Sequence, residues 1–104
     1  MAINVTTVIY KIVPAALWQE AQARDRIAAQ RKPLETRLRR VESEMEKLTS
    51  EKGRLETLLA DPNLYAADKR DAMKAALLEQ SGVNARLRVV EEEWLRLHTE
   101  LEAL

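Results

Sequence analysis

Going forward from Leu34, apolar side chains recur at Leu34, Leu38, Val41, Met45, Leu48, Leu55 and Leu59, with Lys52 filling the one gap. The steps alternate between four and three residues, the spacing that keeps one stripe of an α-helix turned toward a partner helix. The pattern predicts a helix over about 34–60. Asp61-Pro62-Asn63 interrupts it, because Pro62 has no amide hydrogen to donate and Asp61 can cap the turn that follows. A second ladder runs through Met73, Ala76, Gln80, Val83, Leu87, Val90, Trp94, Leu97, Leu101 and Leu104 with the same alternation. It predicts a turn over about 61–68 and a helix over about 69–104, with Asp68 and Asp71 resembling a capping arrangement at its start.

Two striped helices joined by so short a connection fold back on each other. The expected class is therefore all-α, an antiparallel two-helix coiled-coil hairpin over 34–104. Folding the ladders at the turn sets Leu59 against Met73, Lys52 against Gln80, and Leu38 near Trp94. Lys52 and Gln80 would then form one polar layer, which lowers stability but penalises slipped registers. Trp94 reads as a seam residue, and Tyr65 is expected to fold over the end of the seam. Gly82, inside the second helix, reads either as a tolerated surface weakness or as a flexible point in the arm.

The first third has a different character. Residues 1–13 are rich in β-branched side chains and predict a lone strand. Pro14 ends it and opens a short helix from Ala15 to about Arg24. Residues 25–33 read as a basic helical linker, and Pro33 predicts a kink or break before the hairpin. Three segments result: a strand–helix piece over 1–24, the linker over 25–33, and the hairpin over 34–104.

Charge sharpens this picture. Formal net charge is zero, so binding to a polyanion requires basic residues to be segregated. They are: Arg24, Arg26, Arg31, Lys32, Arg37, Arg39 and Arg40 stand against only Asp25 and Glu35, whereas Glu91 to Glu102 holds five glutamates and one arginine. The folded register brings these stretches side by side, so most of the basic run is expected to form flanking ion pairs. The part before Pro33 is left over to touch phosphate. These seven are the candidate nucleic-acid-binding residues, with DNA or ribosomal RNA as partner.

Reactive chemistry is sparse. Charged residues make up 33 % of the chain and aromatics 4 %, the blend of long helices rather than of a pocketed core. There is no phosphate-cradling glycine loop and no cysteine. His98 is the single histidine, expected on the outer surface of its helix, and it lacks a second ligand at metal spacing. Glu91, Glu92 and Glu93 point in three directions around a helix. No catalytic residue, cofactor, metal site or small-molecule substrate is expected, and the chain reads as no enzyme. The apolar stretch Val8–Val13 is too short to span a bilayer, so a cytoplasmic location without membrane contact is expected.

The basic R-K-P-L of Arg31 to Leu34, the L-A-D-P-N-L-Y of Leu59 to Tyr65 and the E-E-E-W-L of Glu91 to Leu95 together resemble the C-terminal extension of ABC-F proteins, over roughly Arg24 to Leu104. Those are soluble tandem ATP-binding-cassette proteins. The resemblance implies a coiled-coil hairpin appended to an ATPase, acting at the ribosome in translation, with nucleic-acid binding in some members. Both nucleotide-binding domains are absent here, so ATP hydrolysis does not carry over. Separately, Thr6 to Arg24 resembles the opening strand and helix of a small bacterial family often labelled DUF952. The rival reading is a structural coiled coil that pairs with another helical protein, or with itself through the coiled coil or the N-terminal strand.

Overall fold

The computed structural model describes residues 15–104. Two helices carry the fold: α1 over Ala15–Ala60 and α2 over Arg70–Glu102. Short 3-10 turns at Pro62–Tyr65 and Ala67–Lys69 join them. At 1.5 Å per residue α1 is about 69 Å long and α2 about 50 Å. The described residues contain no strand, and the strand expected over 1–13 lies outside them.

The hairpin forms as the ladders require. Every seam position from Leu34 to Leu59 and from Met73 to Leu101 is buried or half-buried, and only Leu104 at the very end is exposed. One cluster, Val41, Val90 and Leu97, gathers Leu34, Leu38, Met45, Leu48 and Trp94 around it. Leu38 and Trp94 thus meet the same core, as the folded ladders predict. A second cluster toward the tip holds Leu55, Ala76 and Val83, with Leu48 and Leu59 packed on it. Leu48 touches both clusters and joins them. Lys52 and Gln80 both sit half-buried in the seam, and no hydrogen bond joins them.

Three ion pairs cross the hairpin: Arg37–Glu93 at 3.7 Å, Glu44–Arg86 at 2.6 Å and Arg54–Glu79 at 2.6 Å. The hydrogen bond from Arg86 to Glu44 also raises the arginine above its ordinary pKa. As exposed pairs they add little energy, but their order matters. Sliding one helix by a heptad sets Arg37 beside Arg86 and Glu44 beside Glu79. Sliding it the other way sets Glu44 beside Glu93. Either slip creates a like-charge contact, so the flanks help hold the alignment.

The expected break at Pro33 is absent. Proline lies inside one continuous helix, so the short helix and the linker are the first third of α1 rather than separate segments. Pro33 faces solvent, where the carbonyl left without a donor one turn back can be hydrated. Two side-chain links straddle it: Arg31 Nε donates to Glu35 Oε1 at 3.1 Å, and Thr36 Oγ1 donates to the Lys32 carbonyl at 3.0 Å. Alanine-rich sequence before the proline supplies strong helix propensity.

The tip closes the seam differently from expectation. Leu64, only 5 % exposed, plugs the end. Tyr65 instead lies outside, and its hydroxyl donates to the Leu59 carbonyl at 2.6 Å, satisfying an acceptor that the end of α1 leaves free. Asp61 caps as predicted, its Oδ1 accepting from the Asn63 amide at 3.0 Å. The expected Asp68 cap does not form: Lys69 holds the N-cap position of α2 without a side-chain bond, and Asp68 lies within the preceding 3-10 turn.

Neither glycine is required by the backbone. Gly53 and Gly82 both lack positive φ, and a Cβ built on either meets nothing within 4 Å. Gly53→Ala and Gly82→Ala should therefore each stabilise the hairpin by about 0.5–1 kcal/mol, read as a higher urea midpoint at unchanged slope.

Candidate nucleic-acid interface

All seven candidate basic residues lie on α1 and all are exposed. The heptad frame set by the seam sorts them into groups. Labelling seam positions a and d, Arg24 and Arg31 fall on the seam line itself. Arg37 falls on a flank, Lys32 and Arg39 at b, and Arg26 and Arg40 at c. Positions b and c lie on the side of α1 away from the seam, from which only a long side chain such as Arg54 reaches α2.

Pairing follows this sorting. Arg37 reaches Glu93 across the hairpin, and Arg31 reaches Glu35 along α1. Among the described residues, Arg24, Arg26, Lys32, Arg39 and Arg40 have no ion pair. The expectation that the acidic end of α2 neutralises most of the run is thus overturned. Arg39 at b and Arg40 at c lie on the far side of α1 and make no such pair, although a c side chain nearer the tip, Arg54, does reach Glu79 of α2. Charge proximity along the sequence does not become contact when the helix turns the groups apart.

The structure adds a residue that the basic run does not contain. Lys47 stands one heptad after Arg40, again at c, exposed and without an ion pair among the described residues. Arg26, Arg40 and Lys47 share one line along the outer face of α1, with Lys32 and Arg39 on the adjoining line. The line spans about 32 Å at the α-helical rise. Small neutral side chains, Thr36, Ser43 and Ser50, run along the same outer face. Reading the sequence by heptad position rather than by local charge density reveals Lys47. Glu44 is turned aside at g, whereas Glu46 and Asp25, both at b and exposed, share the outer face and reduce its charge.

His98 departs from its expected place. It is half-buried beside the seam, its ring centroid 4.1 Å from that of Trp94 and tilted by 54°, and its Nε2 is buried without a hydrogen-bond partner. Position e, one residue past the seam position Leu97, turns it inward rather than outward. Trp94 is a seam residue as predicted, half-buried against the Val41 cluster, with its Nε1 donating to Glu42 Oε1 at 3.4 Å. No group of three potential metal ligands occurs among the described residues. No helix among them is long and apolar enough to cross a membrane.

No curated protein and no solved structure matches the chain. The family described as the ABC transporter C-terminal domain matches residues 30–99, which take in α1 from Gln30 onward, the whole tip and α2 to Thr99. An appended helical module is what that family name describes, and the chain belongs to it.

Proposed function

We propose that this hairpin is a non-catalytic, cytoplasmic module that lays the outer face of α1 along the phosphate backbone of structured RNA or DNA. Ribosomal RNA is the substrate class suggested by the ABC-F resemblance. The observation that carries the reading is the line of exposed, unpaired cations at b and c: Arg26, Lys32, Arg39, Arg40 and Lys47. Unpaired surface cations keep their full charge for an incoming polyanion, and a regular line along one rigid helix gives that charge a direction. Arg37 is set apart from this face by its pairing with Glu93. The acidic end of α2 lies against the opposite side of α1, which repels phosphate and orients the approach. Between Arg26 and Lys47 that face carries no aromatic side chain, so binding there is of shape and backbone rather than of sequence.

Anisotropy titrations against a fluorescent RNA hairpin and a DNA duplex, over a range of salt, test this. Arg39→Ala/Arg40→Ala/Lys47→Ala should reduce the slope of log affinity against log salt by about 2–3, roughly one for each phosphate that the variant no longer neutralises. Its helicity should stay unchanged, since all three are exposed and none forms an ion pair with α2. Equal slopes for the variant and the parent, or no binding by the parent at low salt, would sink the proposal.

A further inference from the structure

Where α2 ends, α1 does not. The alignment set by the Arg37–Glu93 and Glu44–Arg86 pairs brings the end of α2 close to the level of Arg31, so residues 15–29 of α1 continue as a helix with no second helix beside them among the described residues. Because α1 is unbroken across Pro33, the heptad frame carries into this stub. It places Leu17, Glu20, Arg24 and Ile27 at successive a and d positions, on the same side of α1 that α2 covers further along. Leu17 is 51 % exposed and Ile27 38 %, whereas almost all their counterparts inside the hairpin are buried or half-buried.

We infer that this stub is a dimerisation surface whose partner is the same stub of a second copy, docked antiparallel about a two-fold axis at Gln22. Antiparallel coiled coils pair a with d, and only one such register uses all four positions. Each Leu17 meets the partner's Ile27, and each Glu20 meets the partner's Arg24. Both apolar residues are covered, and both charges inside the seam meet their opposites. The positions flanking this seam are Ala16, Ala21, Ala23 and Ala28, small enough for the two backbones to approach closely. The symmetric overlap covers residues 15–29, which is the length that α2 leaves bare. The partner's stub thus continues the track of α2 along α1, end to end with it. A closed two-fold contact of this kind is self-limiting and stops at the dimer. Four layers make a small interface, so the association is reversible and weak. This inference does not rest on nucleic-acid binding, since the cation line at b and c faces away from the seam.

Two experiments on the full chain decide it. The first is sedimentation from about 10 µM to 1 mM, a range that spans weak association. The mass should rise toward twice the monomer. Glu20→Arg should abolish the rise by setting two arginines in one layer, and Glu20→Arg/Arg24→Glu should restore it. A monomer throughout the range, or a double swap no better than the single change, overturns the proposal. The second uses the absence of any native cysteine. Leu17→Cys/Ile27→Cys should oxidise to a covalent dimer, whereas either single variant should not. Ten residues of helix separate positions 17 and 27 by about 15 Å, too far for a disulfide within one chain or between equivalent positions of two. Cross-linking by either single variant would mean a different register, and would overturn it as well.

Discussion

Leu55→Ala unfolds a large fraction of the molecule under conditions where the parent is folded, through a loss of about 2–4 kcal/mol. Leu55 is fully buried, at 0 % exposure, and it anchors the tip-side cluster with Val83 and Ala76. Ala76 is the smallest side chain in either ladder, and the space it leaves is filled by the leucine that packs against it. Truncating Leu55 therefore empties a site that Leu48 and Leu59 could fill only by leaving their own places in the seam. A two-helix hairpin has no third layer to compensate, and small domains have little stability in reserve. Urea titration followed by helix ellipticity should show the midpoint fall sharply. Leu78→Ala is the matched control: Leu78 is 77 % exposed, and its truncation should stay within about 0.5 kcal/mol. Equal losses for the two would mean that the seam does not hold the fold.

The seam was legible in the sequence because periodicity reports which side of a helix is apolar, and an antiparallel hairpin needs little else. Each side chain from Leu34 to Leu59 and from Met73 to Leu101 lies where the four–three alternation puts it. What was not legible depended on energies that local rules set too high or on directions that charge counts ignore. Pro33 is the first kind. Its cost of about 3 kcal/mol in a helix interior is a penalty, and strong helix formers on one side with a packed seam on the other outweigh it. The Arg31–Glu35 and Thr36–Lys32 links across the proline contribute in the same sense.

Arg39 and Arg40 are the second kind. Treated as part of a basic run opposite an acidic run, they look neutralised; placed in the heptad frame, they point outward and stay unpaired. The same frame explains why Arg37 does pair and why His98 turns in toward Trp94. Only part of the outer-face charge pattern was therefore visible in the sequence. Its residue types were evident, but the selection among them, with Lys47 added and Arg37 removed, required the geometry of the seam.

Lys52→Leu/Gln80→Leu should raise the melting temperature by about 4–24 °C and broaden the register. Both residues occupy seam positions and are half-buried, so each keeps a polar end near water at the expense of apolar contact. Leucine at both places would extend the tip-side cluster through Leu48, Leu55 and Val83 without a gap. The gain is about 1–3 kcal/mol in apolar burial, and a domain of this size shifts by about 4–8 °C for each kcal/mol. Specificity should move the other way. With two uniform ladders a one-heptad slip no longer exposes a misplaced polar group, and only the flanking pairs resist it. Spin labels on the outer faces of α1 and α2 would report this as a second population of distances. Adding Glu44→Arg/Arg86→Glu to the double variant keeps the native pair and changes which slip is penalised. In the slip that sets Arg37 beside Arg86, position 86 is now glutamate and position 44 meets Glu79 as arginine, so both like-charge contacts vanish. That quadruple variant should populate the slipped hairpin most. A fall in melting temperature for the double variant would show instead that Lys52 and Gln80 stabilise the seam, and the polar-layer argument would fail at its root.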